Sequence, residues 1–248
     1  MSASPSERRQ SIRFGVVWTA VRDLLDQPGS YHEQQARIVD IGGGTGGFAV
    51  PLAQLGHRVE VIDPSPDALA ALDRRAREAD VADRITGQQG DLADMANLVE
   101  AGGVDLVLCH GVLDVVDDPA AALATIASVL RPGGHLSLLV AQRHAAVVAR
   151  AMAGHFQAAH DLLADPTARA GARGGHRFTV EELQPMLATA GLSTVTVHGV
   201  RVFADLVPGS LLDLEPGATA ALVELESAVS TRSEYLPLAT QLHVLARR

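Results

Sequence analysis

The stretch RIVDIGGGTGG, residues 37–47, decides the fold that this sequence predicts. Its first five residues form a short apolar run that contains Asp40 and ends at Ile41, a pattern typical of a buried strand. Five glycines then fall within six residues, and glycines allow the sharp turns and close backbone approach that a bound ligand requires. Residues 48–55 fit a helix, so the stretch predicts a strand, a glycine loop and a helix in that order.

Strands and helices alternate on the carboxyl side of this stretch. Strands are predicted at 58–62, 84–89, 104–109 and 136–141, with helices at 66–79 and 119–130. The sequence VDLVLC at 104–109 is almost continuously apolar, as a parallel strand buried on both faces should be. Such alternation predicts βαβ units and a parallel sheet.

The pattern changes after residue 142. Helices are predicted at 143–163, 179–190 and 216–230. Residues 192–203 alternate valine with polar residues, which is typical of an antiparallel strand with one wet face, and 236–246 predict a last strand. The expected fold class is therefore α/β and Rossmann-like, with a mostly parallel seven-stranded sheet, an antiparallel last strand and helices on both faces.

The composition excludes several classes of protein. All 20 basic residues of the 248-residue chain are Arg, so no Lys can form a Schiff base or clamp a nucleotide phosphate. One Cys excludes a disulfide framework, and the ten His show no tight zinc spacing, so no metal is expected. The first eleven residues are polar, and no apolar run reaches the ~18 residues of a membrane helix. These features predict a cytoplasmic protein with no membrane partner.

The glycine loop fits two ligand-binding templates. Its spacing matches the dinucleotide fingerprint GxGxxG at residues 42–47. It also matches DxGxGxG at residues 40–46, the first motif of class I methyltransferases. Asp63 closes the second predicted strand and suits a ribose diol under either template. The loop alone therefore leaves a dehydrogenase and a methyltransferase open.

Later features favour the methyltransferase template. Gly90-Asp91-Leu92 follows the third predicted strand, where methyltransferases hold the adenine, and Asp91 could accept from its amino group. His110 stands at the carboxyl tip of the fourth predicted strand, the position beside the methyl donor. LRPGGHLSLLV at 130–140 is the helix end, turn and fifth strand seen in many of these enzymes. With these features in order, the chain resembles a class I S-adenosylmethionine-dependent methyltransferase.

The resemblance extends to one family within that class. The chain is similar to the bacterial tRNA 5-carboxymethoxyuridine methyltransferases over roughly residues 10–248. The stretches that carry this similarity are IRFGVVW (12–18), CHGVLDVVDDP (109–119), LRPGGHLSL (130–138), AGHF (153–156), GVRVF (199–203), LVELE (222–226) and LHVLARR (242–248). That family converts the carboxymethoxy group of a wobble uridine into its methyl ester.

The resemblance implies a cofactor, S-adenosyl-L-methionine, and residues that bind it. Arg13 would neutralise the methionyl carboxylate, and Asp63 would accept from both ribose hydroxyls. The expected cofactor contacts, including those taken from the motifs, are Arg13, Asp40, Gly42, Gly43, Gly44, Asp63, Gln89, Gly90, Asp91, Leu92 and His110. Residues 1–36 are expected to form a helical segment over the cofactor site, and 37–248 the methyltransferase domain, in which 143–178 cap the acceptor site.

The chemistry of the acceptor decides whether the site needs a base. A sulfonium is already a strong electrophile, so the protein mainly has to align donor and acceptor. A carboxylate acceptor needs no general base. A hydroxyl acceptor can require one, and His110 and His144 are then the catalytic candidates. Cys109-His110-Gly111 stands where methyltransferases of DNA amino groups carry Asp/Asn-Pro-Pro-Tyr/Phe, so DNA is not expected as a partner.

The charge distribution favours an anionic acceptor. The chain has a net charge of −9, yet residues 143–177 hold five Arg against two acidic residues. Arg177 and Arg201 are the candidates to bind the acceptor by paired hydrogen bonds. The expected function is methyl transfer to a carboxylate or hydroxyl oxygen of an anionic small molecule or modified nucleoside. A tRNA methyl-ester-forming enzyme, which the net charge disfavours, and a non-catalytic cofactor-binding module are the alternatives.

Overall fold

The computed structural model describes residues 5–27, 35–165, 175–212 and 217–248, with side chains described except at 5–14 and 209–210. The strands are β1 (Arg37–Ile41), β2 (Arg58–Asp63), β3 (Ile85–Gln89), β4 (Val104–His110), β5 (Leu130–Ala141), β6 (Ser193–Val200) and β7 (Gln241–Arg247). The helices are α1 (Pro5–Asp26), α2 (Ala49–Gln54), α3 (Pro66–Glu78), α4 (Met95–Leu98), α5 (Pro119–Val129), α6 (Arg143–Met152), α7 (Phe156–Ala164), α8 (Val180–Thr189), α9 (Gly209–Leu212) and α10 (Ala218–Val229), with a 3-10 turn at Leu236–Leu238. No helix of the described part combines the length and the apolar character that crossing a membrane requires.

The seven strands form one sheet in the order β3-β2-β1-β4-β5-β7-β6. The pairs β1–β2, β2–β3, β1–β4 and β4–β5 are parallel. The last strand in sequence, β7, is antiparallel to β5, because Gly133 N donates to Arg248 O at 2.9 Å while Gln142 N donates to Thr240 O at 3.0 Å. The predicted fold class, with its antiparallel last strand, is confirmed.

The central strands are buried on both faces, as their apolar sequences predict. All but the first residue of β1 is buried, and Leu106, Val107 and Leu108 of β4 have no exposed surface. Parallel strands are covered by helices on both faces, so nearly every position must be apolar. Asp40 is the exception in β1, and it lies next to the glycine loop.

The predicted helix at 143–163 is wrong in one respect, because it is two helices. α6 ends in a Schellman motif in which Gly154, at φ +78°, donates to Ala151 O at 3.0 Å and His155 N donates to Arg150 O at 2.9 Å. Apolar residues continue at helical spacing across this break, which is why periodicity alone did not find it. Gly154 was the available signal.

The fifth strand begins earlier than predicted, at Leu130 instead of residue 136. The turn residues Arg131–Gly134 are part of it, and the register against β4 shifts between Val104 and Leu106 to accommodate them. Arg248 N donates to Gly134 O at 2.9 Å, so the turn residues pair with a residue far away in the sequence. The sequence of the turn alone does not indicate this pairing.

The chain divides into two compact units. The glycine-loop unit comprises Leu24–Leu139, Glu181–Val195 and Val244–Arg248. The α6–α7 unit comprises Met1–Asp23, Val140–Val180 and Thr196–His243. The boundaries expected from the sequence, with a segment at 1–36 and a cap at 143–178, stay a prediction.

A buried carboxylate organises the loop after β6 in the α6–α7 unit. Glu226 of α10 is 2% exposed and accepts from Val202 N at 2.9 Å and from Phe203 N and Ala204 N at 2.8 Å each. Hydrogen bonds to a charged acceptor are stronger than neutral ones, and without it three backbone donors would lose their partner. The loop that begins at Arg201 therefore depends on α10.

We expect Glu226→Ala to lower the free energy of unfolding by about 3 kcal/mol, because the desolvated N–H groups lose a charged acceptor. The matched control is Glu224→Ala, which removes an exposed carboxylate from the same helix and should change stability by less than about 0.5 kcal/mol. Urea denaturation of both variants measures the difference. Equal losses in the two variants would contradict the role given to Glu226.

Candidate active site

The glycine loop turns away from β1 in a backbone conformation that side chains do not tolerate. Gly42 has φ +70°, and a Cβ there would lie 2.4 Å from Val112 Cγ2. A Cβ on Gly43 would lie 2.5 Å from Asp40 Oδ2. Gly42 N donates to Ile62 O at 2.7 Å, which continues the β1–β2 pairing into the loop. These positions therefore need glycine for shape, and the loop leaves backbone open to a ligand.

Asp63, at the end of β2, ties the loop to the next helix. Its Oδ2 accepts from Gly44 N at 2.9 Å and its Oδ1 from Ser65 N at 2.9 Å. Ser65, rather than Asp63, caps α3, since its side chain accepts from Ala68 N at 3.2 Å. Each carboxylate oxygen of Asp63 keeps a second lone pair, so the group can still accept from a diol.

Asp40 is a buried carboxyl group with a raised pKa. It is 3% exposed, and burial, with a smaller contribution from the charge of Asp63, raises the pKa of its carboxyl to about 7. A cation bound nearby would favour the ionised form. The protonation of Asp40 therefore depends on the charge of a ligand bound at the glycine loop.

A cavity of about 810 Å³ opens at the carboxyl ends of β1, β2 and β4 in the glycine-loop unit. Of the predicted cofactor residues, Gly42, Asp63, Asp91, Leu92 and His110 line it. Ligand sites of open α/β sheets lie at this edge. The predicted residues that do not line it are Asp40, Gly43, Gly44, Gln89 and Gly90, which lie in or beside the loop and at the end of β3.

The cavity wall also contains residues for which the sequence predicted no contact with a ligand, although the stretch 109–119 carries the family resemblance. Residues 115–125, from the β4–α5 connection and the first turns of α5, contribute Val115, Val116, Asp117, Asp118 and Thr125. Asp118 caps α5, accepting from Ala120 N and Ala121 N at 3.0 Å each. The pattern Asp-Pro before an apolar run is a helix-start signal, in agreement with the helix predicted at 119–130. With Asp63 and Asp91, these residues give the cavity four carboxylates, which favours a cationic ligand.

The β3 end of the cavity is a short hydrogen-bonded turn. Gly90 N donates to Asp63 O at 3.3 Å, and Gln89 Nε2 donates to Pro64 O at 3.3 Å. Asp91 Oδ1 accepts from Ala93 N at 2.7 Å. The structure therefore brings Gln89, Gly90 and Asp91 together with Asp63, as the motif order predicts.

His110 lies at the tip of β4 in contact with two side chains. Its Nε2 is 2.9 Å from Ser137 Oγ, and its ring packs edge-on against Phe48 with centroids 4.7 Å apart. Burial lowers the pKa of His110 to about 4, so the imidazole is neutral at neutral pH. Neighbouring Cys109 is fully buried, and burial raises the pKa of its thiol to about 12, which excludes a nucleophilic thiolate.

The three remaining predicted site residues belong to the α6–α7 unit. His144 is exposed in the first turn of α6, and its Nδ1 lies 3.5 Å from Gln142 Nε2. Arg177 O accepts from Arg143 Nη2 at 2.8 Å. Arg201, at φ +61°, pairs its guanidinium with Asp205, whose other oxygen accepts from Thr240 Oγ1 at 2.8 Å. The charge of Arg201 is therefore already neutralised within the chain.

Two further expectations concern Arg13 and metal binding. The side chain of Arg13 lies outside the part of the chain that the structure describes, so its role stays a prediction. Among the described residues, no group of three or more His, Cys, Asp or Glu side chains is placed to hold a metal ion.

Comparison with known proteins identifies the family. A family model described as a methyltransferase domain matches residues 10–197. The chain belongs to the methyltransferase domain family. This methyltransferase is 30% identical over 237 residues to the tRNA 5-carboxymethoxyuridine methyltransferase of Escherichia coli strain K12, an alignment covering 96% of this chain and 88% of that protein.

Two further comparisons agree with this assignment. The methyltransferase is 31% identical over 169 residues to the ubiquinone biosynthesis O-methyltransferase of Xanthomonas axonopodis pv. citri, which covers 66% of each chain. The crystal structure of an S-adenosylmethionine dependent methyltransferase from Mesorhizobium loti superposes with a TM-score of 0.62 at 22% identity, covering 94% of this chain and 98% of that one. The predicted enzyme class, fold and cofactor, S-adenosylmethionine, are confirmed.

We expect the stability of this methyltransferase to fall as pH rises from about 4 to about 7, because the folded state binds a proton at Asp40 that the unfolded chain releases. Asp40→Asn should remove this component, which amounts to roughly 4 kcal/mol at most for a shift of about three pH units. Urea denaturation at pH 5 and pH 8 tests it, with Asp83→Asn on the surface as control. If Asp40→Asn and the parent protein show the same pH dependence, the buried carboxyl does not titrate as described.

Proposed function

We propose that this methyltransferase transfers a methyl group to an oxygen of an anionic acceptor, and that the oxygen belongs to a carboxylate. The observation that carries the proposal is the state of His110, the imidazole that lines the cavity. A group with a pKa of about 4 is a weak base at neutral pH, and this one is held against Ser137. A hydroxyl acceptor would need a stronger base, whereas a carboxylate is already a nucleophile.

The cavity of the glycine-loop unit suits S-adenosylmethionine in shape and charge. Its four carboxylates complement the positive sulfonium and amino groups of the cofactor. The open backbone of the loop admits a ligand close to it, because a Cβ at Gly42 or Gly43 would clash and Gly44 has φ +55°. In this proposal Asp63 accepts from the ribose hydroxyls with the lone pairs that Gly44 and Ser65 leave.

The other predicted residues take complementary roles in the same proposal. Gln89, Gly90, Asp91 and Leu92 border the adenine, and Arg13 binds the methionyl carboxylate. Asp40 faces the positive end of the cofactor from behind the glycine loop. When bound, the cofactor supplies an electrophilic methyl group on sulfur, and the chain aligns it with the acceptor oxygen and keeps the site dry.

The acceptor side of the proposal assigns the contact with the anion to Arg177, which lines a cavity of about 500 Å³ within the α6–α7 unit and belongs to the basic segment 143–177. Arg201 would have to give up its pairing with Asp205 before it could bind an anion. In this proposal it therefore positions the loop after β6 and does not bind the acceptor. His144 is exposed and could serve as a base only for a hydroxyl acceptor. A cytoplasmic setting, expected from the composition, is part of the same proposal.

A second candidate function is methyl-ester formation on a wobble uridine of tRNA. The observation that favours it is the 30% identity to the Escherichia coli tRNA enzyme over nearly the whole length of both chains. The net charge of −9 opposes it, because tRNA binding depends on neutralising phosphates. Both candidates have a carboxylate acceptor, so they differ in the molecule that carries it.

One experiment separates the acceptor classes. Tritiated S-adenosylmethionine is incubated with the enzyme and with the small-molecule or tRNA fraction of cells from which the gene has been deleted. Methyl esters release methanol in mild alkali, whereas methyl ethers and amines do not. We expect alkali-labile label in the small-molecule fraction. Alkali-stable label would overturn the carboxylate, and label confined to tRNA would establish the second candidate.

We expect Asp63→Asn to weaken S-adenosylhomocysteine binding by about 100-fold, because the ribose loses charged hydrogen-bond acceptors. Titration calorimetry measures this, with Asp67→Asn on the exposed surface of α3 as control. Thermal unfolding of both variants separates lost binding from lost structure, since Asp63 also holds the loop. Unchanged affinity in folded Asp63→Asn protein would contradict the assignment.

We expect kcat at saturating cofactor to be flat between pH 6 and 8.5. The acceptor carboxylate is ionised throughout this range, and a His110 with its pKa lowered to about 4 stays neutral. His110→Asn should lower kcat without changing the shape of the profile. A rising limb near pH 6.5 in the parent enzyme, lost in the variant, would instead establish a general base of ordinary pKa.

A further inference from the structure

The glycine loop has a third point of attachment, which comes from α3 and lies outside the motif residues. The first two are Gly42 N and Gly44 N, which donate to the last two residues of β2. The third is Thr45, because Arg75 Nη1 donates to Thr45 O at 2.8 Å and to Thr45 Oγ1 at 3.3 Å. The loop is therefore held by a strand on one part and by a helix on the next.

A buried leucine adds to this contact between α3 and the loop. A Cβ on Gly46, which has φ +81°, would lie 2.4 Å from Leu72 Cδ1, so Leu72 packs directly against the loop backbone. Leu72 is 1% exposed and lies three residues before Arg75, which places both on the same face of the helix. One face of α3 thus contacts two consecutive loop residues, Thr45 and Gly46.

The contact with the loop distinguishes Arg75 from the other arginines of α3. Arg74 Nε lies 4.0 Å from Glu78 Oε1, and Arg77 Nη2 lies 2.5 Å from Asp73 Oδ2. Both of these side chains are 70% exposed and pair on the surface of their own helix, where ion pairs contribute little to stability. Arg75 is half-buried and binds a residue 30 positions earlier in the chain.

The glycine content of the loop makes its attachment important for binding. Gly42, Gly44 and Gly46 all have positive φ, and glycine loses more conformational freedom on ordering than any other residue. Any part of the loop that is not ordered in the free enzyme has to be ordered when a ligand binds, and this cost lowers the affinity. A contact that orders the loop beforehand therefore strengthens binding.

We propose that Arg75 is a positioning residue that holds the glycine loop in its binding conformation before the cofactor binds. The inference rests on the proposed cofactor site and adds a residue that acts through the loop, since neither Arg75 nor Thr45 lines the cavity. A guanidinium suits this role because it stays charged and presents several donors in a fixed geometry. Thr45 contributes two acceptors, its carbonyl and its hydroxyl, to the same guanidinium nitrogen.

The first test is titration of S-adenosylmethionine into the full-length enzyme. We expect Arg75→Ala to weaken binding about tenfold, as for the loss of a hydrogen bond with a charged partner, and Arg74→Ala to bind as the parent does. The sign separates positioning from charge, because the cofactor is net positive and removal of a nearby cation would by itself strengthen its binding. Arg75→Lys keeps a charged donor and should recover part of the affinity.

The second test is hydrogen exchange of the cofactor-free enzyme. Arg75→Ala should speed exchange at least tenfold at the amides of Gly44 and Gly46, which are hydrogen-bonded to Asp63 and Gly43, and leave β4 unchanged. Saturating cofactor should remove most of this difference. Arg75→Gln replaces the alanine variant if that variant does not fold.

The outcomes that contradict the inference are distinct from those that contradict the proposed function. Parent-like affinity in folded Arg75→Ala protein, or weaker binding with parent-like exchange in the loop, would overturn the role given to Arg75. Failure of the parent enzyme to bind S-adenosylmethionine would instead overturn the proposed cofactor site. The identity of the acceptor is measured separately by the labelling experiment.

Discussion

The carboxylate of Asp63 is the contact on which the geometry of the glycine-loop unit depends. One oxygen holds Gly44 N of the loop and the other holds Ser65 N at the start of α3, while the carbonyl of the same residue accepts from Gly90 N. Three segments that are distant in sequence are thus fixed to the end of one strand. Because both oxygens are anchored, the side chain cannot rotate, and the remaining lone pairs are offered to a ligand in a fixed place.

The strands of the parallel sheet could be predicted because their signal is local. β1 has the predicted bounds, and β2 extends the prediction by one residue. A short apolar run between polar or glycine residues has few alternatives when helices flank it. The start of β5 and the break at Gly154 were missed for different reasons. The first depends on pairing with Arg248 at the other end of the chain, and the second interrupts a periodicity that continues on both sides.

The candidate site likewise combines residues that the sequence predicts with contacts that it does not predict. Gly42, Asp63, Asp91 and His110 follow the ends of consecutive strands, so a motif read along the chain finds them, and topology brings them to one edge. The pairing of Arg201 with Asp205 was invisible because it depends on a turn with positive φ that no sequence pattern marked. The low pKa of His110 likewise follows from burial against Phe48 and Ser137, contacts that link separate elements.

The dependence of the Arg201 loop on Glu226 has a consequence for synthesis of the chain. A ribosome makes residues 202–204 well before residue 226, and until then the three backbone donors have only water as a partner. The three hydrogen bonds to Glu226 can therefore form only after this residue of α10 has been made. This corner of the α6–α7 unit therefore cannot reach its final structure until residue 226 has been synthesised, even though residues 202–204 are made earlier.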